Sequence, residues 1–242
     1  MFSMVVFLSS SPCVAGADRA VLNPENHFVE NLSEALPAYP NVLFICSDPD
    51  SYDLTDRFGG DMAGAFAEAG MPFGDFAVLD GRNAGQAQLL IWESDLIILA
   101  GGHVPTQNAF FQAIGLRELL QDYQGVIMGI SAGSMNSADR VYAQPEMAGE
   151  SGAEFPRFLP GLGLTQVNIL PHYQQVKDYM LDGLRLFEDV TYGDSMGECF
   201  FALVDGSYVL ERDGQTLLFG EAYCIADGEI RQIASLGDVV AL

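Results

Sequence analysis

Short apolar runs, each closed by a loop and followed by a segment of helical period, recur along the first two thirds of the chain. Met4 to Leu8, Val42 to Cys46, Phe76 to Leu79, Leu96 to Ala100 and Gly125 to Ile130 are each too short for a core helix and too uniformly apolar for a half-exposed strand. Such runs suit strands covered on both faces, and their alternation with helical segments predicts an α/β protein with a mostly parallel sheet. After Val42 to Cys46 comes a helix whose inward face should carry Leu54, Phe58, Met62, Ala65, Phe66 and Ala69. Pro105 opens another, with Phe110, Ile114 and Leu120 turned inward. A long helix is expected from Ala132 to Val141, and the clearest helical spacing is that of Val176, Tyr179, Met180, Gly183, Leu184 and Phe187.

The last part of the chain has a different texture. Asp205-Gly206, Asp213-Gly214 and Asp227-Gly228 punctuate short alternating runs, a hairpin signature, so an antiparallel extension of the sheet is expected near the C-terminus. Thr165 to Leu170 reads as a further strand, and Gln144 to Gly163, rich in Pro, Gly and Glu, as a long surface excursion. The expected architecture is a three-layer sandwich formed by one domain over residues 1–242.

With 33 acidic and 10 basic residues the formal net charge is −23, a field that repels phosphate backbones and disfavours a nucleic-acid partner. Lys177 is the only lysine, so an anionic substrate would have to be met by locally placed arginines. Cys13, Cys46, Cys199 and Cys224 form no CxxC pair, and buried thiols in a reducing cytosol are expected. The N-terminal MFSMVVFLSSSPCVAGA lacks the basic flank and the apolar length of an export signal; it reads as a first strand, and the protein as cytoplasmic. No apolar run approaches the ~20 residues that span a bilayer. The carboxylates of CSDPDSYDLTD lack the glycine that a calcium loop of EF-hand type places at its sixth position, and they suit helix capping by Asp50 or Ser51; neither a metal nor a cofactor is expected.

Chemistry concentrates at the end of the fifth run. Gly129-Ile130-Ser131-Ala132-Gly133 fits the G-x-S-x-G turn, in which small flanking residues let strand and helix approach around an exposed serine. A serine hydroxyl needs a base. Of three histidines, His27 lies in a polar connection, and His103 follows Gly101-Gly102, where the backbone matters more than the ring. His172 closes a strand expected at the same sheet edge as Ser131. Glu146 is the expected acid, with Glu150 next and Asp139 a rival placed two helical turns beyond the serine. Main-chain N–H groups of Ala132 and of Gly101 or Gly102 are the expected oxyanion donors.

The segments AGGHVPTQNAFF, GISAGSMN and ILPHY, in that order, resemble the dipeptidase E and cyanophycinase family of serine peptidases, whose fold is like that of the class I glutamine amidotransferases. The resemblance implies Ser131 as nucleophile, His172 as base, a carboxylate near Glu146 as third member, and Gly101 and Gly102 as oxyanion site. Amidotransferases carry cysteine at the elbow and glutamate two residues after the histidine, where this chain has Ser131 and Gln174, so ammonia transfer is disfavoured. In α/β-hydrolases the histidine lies near the chain end, whereas 70 residues follow His172 here. The expected activity is hydrolysis of a peptide bond in small peptides through an acyl-enzyme. The resemblance implies a substrate with N-terminal aspartate, which an arginine in the pocket would read; Arg140 and Arg157 lie near the triad in sequence but match no motif of the family. The alternative is a protein on the same fold that binds a peptide or partner without turnover. A second copy pairing at the hairpin edge, giving a homodimer, is a further expectation.

Overall fold

The computed structural model describes residues 4–242; the first three residues of the expected N-terminal strand segment lie outside the described residues. In chain order the strands are β1 (Val5–Ser9), β2 (Val42–Ile45), β3 (Phe76–Leu79), β4 (Leu96–Leu99), β5 (Val126–Ile130), β6 (Arg140–Tyr142), β7 (Phe158–Pro160) and β8 (Asn168–Leu170), then β9 (Met180–Leu181), β10 (Leu184–Arg185), β11 (Cys199–Leu203), β12 (Tyr208–Arg212), β13 (Gln215–Phe219), β14 (Ala222–Ala226), β15 (Glu229–Ala234) and β16 (Val239–Ala241). The main sheet has the order β16-β13-β12-β1-β5-β4-β2-β3. Its five strands from β1 to β3 are parallel. β12, β13 and β16 extend it antiparallel beside β1. The fold class is therefore the expected α/β one.

Each apolar run serves two cores, which is why its residues show no alternation. Val42, Phe44, Leu96, Ile98, Val126 and Met128 face one side, where Phe28 and Leu32 of α1 (Phe28–Ala35) and Met62 and Phe66 of α2 (Tyr52–Glu68) cover them. Leu43, Ile45, Ile97, Leu99 and Ile127 face the other, against α3 (Ala87–Trp92), α4 (Val104–Ala113) and α5 (Leu116–Leu119). Full burial of such a side chain stabilises by roughly 1.5–3 kcal/mol. In α2 the inward face is rotated from the expected one. Thr55, Gly59, Met62, Ala65 and Phe66 are buried, while Leu54 and Phe58 are exposed. The rotation has a steric reason: a Cβ on Gly59 would lie 2.9 Å from the Phe76 ring, so this glycine lets α2 settle on β3.

Beyond Ser131 the chain departs further from expectation. The helix after the serine, α6 (Ala132–Asn136), is a single short stretch, and the chain then becomes β6, paired with β7. The long helix expected around Val176 to Phe187 does not form. One turn, α7 (Tyr173–Val176), leads into the β9–β10 hairpin and then a wide helical turn over Leu186–Thr191. Asp182 and Gly183 have φ of 52° and 82°, a left-handed pair that turns a hairpin and ends any helix. β8, expected in the main sheet with its end beside that of β5, instead joins a second sheet of order β15-β14-β11-β8. That sheet packs with α6 in a third core holding Met135, Val141, Ile169, Phe187, Phe200 and Ile225. Asp213-Gly214 and Asp227-Gly228 turn the β12–β13 and β14–β15 hairpins as expected. Asp205-Gly206 does not; it lies on the crossing from β11 in the second sheet to β12 in the first.

The cysteines also depart from uniform burial. Cys199 is exposed, and its Sγ lies 3.4 Å from that of Cys224 on the neighbouring strand. In the acidic loop before α2, Ser51 occupies the capping position but makes no cap with its side chain. Asp48 organises the turn by accepting from the Asp50 N–H and the Ser51 hydroxyl.

Candidate active site

Ser131 sits between β5 and α6 with φ 51° and ψ −111°, a conformation that L-residues adopt only when the surroundings impose it, at a cost of about 1–3 kcal/mol. The surroundings are closely packed. The Ser131 N–H donates to the Ser9 carbonyl, and the Ser134 hydroxyl donates to the same oxygen. Ser9 donates to the Gly129 carbonyl at 2.7 Å, tying the ends of β1 and β5 together. A Cβ on Gly129 would fall 2.6 Å from the Ser134 nitrogen, and one on Gly133 would strike the Leu99 carbonyl. Both glycines are thus required by close approach. α6 is only five residues long, so what it offers at its start is local free N–H groups rather than a substantial dipole.

β8 delivers His172 to this turn from the second sheet. The Ser131 hydroxyl donates to His172 Nε2 at 3.0 Å, and His172 Nδ1–H donates to Asp205 Oδ1 at 2.7 Å. These partners fix the tautomer. The structure brings the expected Ser131 and His172 together, but it sets the expected acid, Glu146, apart from the Nδ1 side of the ring. Glu146 makes no hydrogen bond to His172 among the described residues. It lines the open cavity in front of Ser131, whereas Nδ1 points back toward the end of β1. Glu150 is engaged elsewhere, accepting from His103 Nε2 and from the N–H groups of Glu146 and Met147. Asp139 pairs with Arg117 at 2.6 Å.

The Asp205 carboxylate is fully used. Oδ1 accepts from His172 and from the Ser10 hydroxyl (2.8 Å); Oδ2 accepts from Gln174 (2.7 Å) and Gln175 (2.6 Å). Gln174 also accepts from the Asp205 N–H, and Ser10 accepts from the His172 N–H. Burial would raise the pKa of Asp205, but the His172 hydrogen bond and charge, with Ser10 and Gln174, hold it below the ordinary carboxylate range. Gln174, which set this chain apart from amidotransferases, thus helps to hold the Asp205 carboxylate in place.

The other expected site residues surround the serine. Gly101 lies beside it: a Cβ there would be 3.5 Å from the Ser131 Cβ, and a Cβ on Gly102 would collide with Ser47. α4 starts just beyond, and its buried Gln107 and Asn108 join Asn136 of α6 in an amide network, Asn136 donating to Gln107 and accepting from Asn108. This network locks the Gly101–Gly102 turn to the Ser131 turn. Ala132 is buried at the first position of α6.

The cavity beside Ser131 and His172 measures about 250 Å³. Glu146 lines it and is solvent-exposed as a residue. Desolvation pushes its pKa up to about 7, opposed by the charge of His103, reinforced by Glu150 and opposed by His172. Arg140 and Arg157, the arginines near the triad in sequence, are occupied. Arg140 pairs with Glu198 over the Phe158 ring, and Arg157 binds Asp194 and the carbonyls of Glu150 and Ser151.

No curated protein matches the chain. Solved structures do. A peptidase from an acI-B1 Actinobacterium superposes with a TM-score of 0.64 at 16% identity, over 100% of this chain and 98% of that one. A putative peptidase E protein from Listeria monocytogenes EGD-e gives 0.60 at 14% identity, over 97% of this chain and 100% of that one. At such identities the likeness speaks to the fold. The sequence profile of peptidase family S51 matches residues 14–207, a span that holds Ser131, His172 and Asp205 and ends before the β12–β13 hairpin. The chain therefore belongs to peptidase family S51.

Proposed function

We propose that the protein is a serine peptidase that cleaves small peptides through an acyl-enzyme, with Ser131 as nucleophile, His172 as general base and acid, and Asp205 as the carboxylate behind the imidazole. The observation that carries this reading is the continuous hydrogen-bonded line from Ser131 Oγ through His172 to Asp205, at 3.0 and 2.7 Å. In the first step the hydroxyl oxygen attacks the scissile carbonyl carbon while its proton moves to His172 Nε2. The imidazolium formed faces a carboxylate already held ionised, which lowers the energy of the charged transition state. His172 then gives its proton to the leaving amine as the C–N bond breaks. A water, deprotonated by the same nitrogen, cleaves the ester and restores Ser131.

The oxyanion of each tetrahedral intermediate would be met by the N–H of Ala132 and a main-chain N–H of the Gly101–Gly102 turn. Each such donor is worth roughly 3 kcal/mol in the transition state. The strained φ of Ser131 supports this reading, because packing maintains strain at one hydroxyl that faces the cavity.

The test is covalent labelling with a fluorophosphonate, followed by peptide mapping, together with hydrolysis of a dipeptide panel. Ser131 is expected to carry the label, and Ser131→Ala to lose both label and hydrolysis. Hydrolysis at wild-type rate in Ser131→Ala would remove the serine from the mechanism.

A further inference from the structure

The pocket in front of Ser131 does not match an acidic substrate. Its walls are Met135 from α6, Val176 and Tyr179 from the α7 region, and Leu186. Glu146 is the only carboxylate among its lining residues, and no lysine or arginine lines it among the described residues. An aspartate side chain placed there would be desolvated against hydrocarbon and would face a carboxylate.

Glu146 is held in place. Its N–H and that of Met147 donate to Glu150 Oε2, and Glu150 Oε1 accepts from His103 Nε2. His103 follows the Gly101–Gly102 turn directly, so one carboxylate ties the excursion bearing Glu146 to the proposed oxyanion turn. No hydrogen bond to the Glu146 carboxyl is formed within the described protein. This leaves both oxygens for a cationic group entering the cavity. When Ser131 attacks the carbonyl of a peptide's first residue, that residue's ammonium is two bonds from the reacting carbon and its side chain branches from the same atom. A site built for such a residue needs an anion and an apolar recess beside one nucleophile.

We propose that the protein is an aminopeptidase-type enzyme for small peptides with an apolar first residue of leucine or methionine kind, in which Glu146 binds the free N-terminal ammonium and Met135, Val176, Tyr179 and Leu186 receive the side chain. This rests on the serine-peptidase reading above and gives it a substrate class. Discrimination against an acidic first residue comes from the same two features.

Four chromogenic p-nitroanilides test it on the full chain: leucyl, N-acetyl-leucyl, aspartyl and N-acetyl-lysyl. Wild type should prefer leucyl over N-acetyl-leucyl by roughly 10- to 100-fold in kcat/KM, the range of one charge-assisted hydrogen bond. It should prefer leucyl over aspartyl by at least about 100-fold. Glu146→Gln should shrink the leucyl to N-acetyl-leucyl ratio to within about threefold, with most of the change in KM. Preference for the aspartyl substrate, or a ratio untouched by Glu146→Gln, would overturn the proposal. Preference for N-acetyl-lysyl over leucyl would also do so, by assigning Glu146 to a side-chain cation.

Fluorophosphonate labelling separates the two levels. Labelling of Ser131 together with aspartyl preference sinks this inference alone, whereas turnover that survives Ser131→Ala sinks the mechanism beneath it. If wild type cleaves none of the anilides, protection of Ser131 from the label decides the matter. Protection by leucinamide but not by N-acetylleucinamide or aspartate amide supports the proposal; equal protection by all three, or none by leucinamide, refutes it.

Discussion

Asp205→Asn removes one charge and exchanges an acceptor for a donor at a site where every acceptor is used. Four side-chain donors converge on the two carboxylate oxygens. If the new NH2 stands at the Oδ1 position it confronts His172 Nδ1–H, and the ring relieves the clash by moving its proton to Nε2, where it no longer accepts from Ser131. If it stands at the Oδ2 position it confronts the amides of Gln174 and Gln175, and Gln174 cannot simply flip, because its oxygen accepts from the Asp205 N–H. In both arrangements the imidazolium loses the facing negative charge. The Asp205 side chain is only 10% exposed, so solvent supplies little substitute.

Amide replacement of the acid in other serine triads lowers kcat by up to ~10⁴-fold. We expect a loss of 10³- to 10⁴-fold here, roughly 4–5.5 kcal/mol at about 1.36 kcal/mol per decade. The assay is steady-state hydrolysis with the rate of fluorophosphonate labelling as a chemical control, since both need a base at Ser131. Far-ultraviolet circular dichroism checks that the fold survives. The comparison that can refute the reasoning is Glu146→Gln on an N-acetylated substrate. If that variant loses 10³-fold or more while Asp205→Asn stays within tenfold of wild type, Glu146 is the functional acid and the Ser131–His172–Asp205 line is incidental.

Ser10→Ala removes the hydroxyl that donates to Asp205 and accepts from the His172 N–H; a kcat loss of roughly 10- to 100-fold with little change in KM is expected from the worth of a hydrogen bond to a charged group. Gly133→Ala forces a Cβ onto the Leu99 carbonyl and should destabilise the fold by about 1–3 kcal/mol or more, read as a lower urea midpoint. Because the folded pKa of Glu146 is raised from 4.5 to about 7, the folded state binds the extra proton between those values, so this group's contribution to stability is present below about 4.5 and lost as pH rises through about 7. Replacement by Gln should therefore flatten the dependence of the urea midpoint on pH over that window, and an unchanged slope would show that desolvation at the cavity does not raise this carboxyl's pKa. For Asp205 the sign is opposite: its folded pKa is depressed, so its contribution stands above the unfolded value and is lost as pH falls through the folded one, and Asp205→Asn should make acid unfolding less steep.

How much of this the sequence disclosed depends on how local the governing physics is. The parallel strands were legible because burial on both faces leaves four or five apolar residues in a row, and β3 was delimited to the residue. The serine turn was legible because close approach at Gly129 and Gly133 is a property of five consecutive residues. Where packing between distant segments decides, pattern misleads. The apolar spacing from Val176 to Phe187 imitates a helix, yet Asp182 and Gly183 turn the chain back, a signal that was present in the sequence and outweighed by periodicity. The carboxylate that meets His172, Asp205, was hidden for a related reason. Asp205-Gly206 has the composition of the two hairpin turns that follow it, and nothing local distinguishes a turn that joins paired strands from one that carries the chain between two sheets. The nearest available clue was the pair Gln174-Gln175 directly after His172, two amide donors in want of an anion that the excursion does not supply. A triad search confined to the chain between nucleophile and base therefore fails on topology rather than chemistry. His172 arrives from the second sheet with its Nδ1 facing the end of β1, and it is the segment returning from that sheet to the first, from β11 to β12, that sets the Asp205 carboxylate behind it.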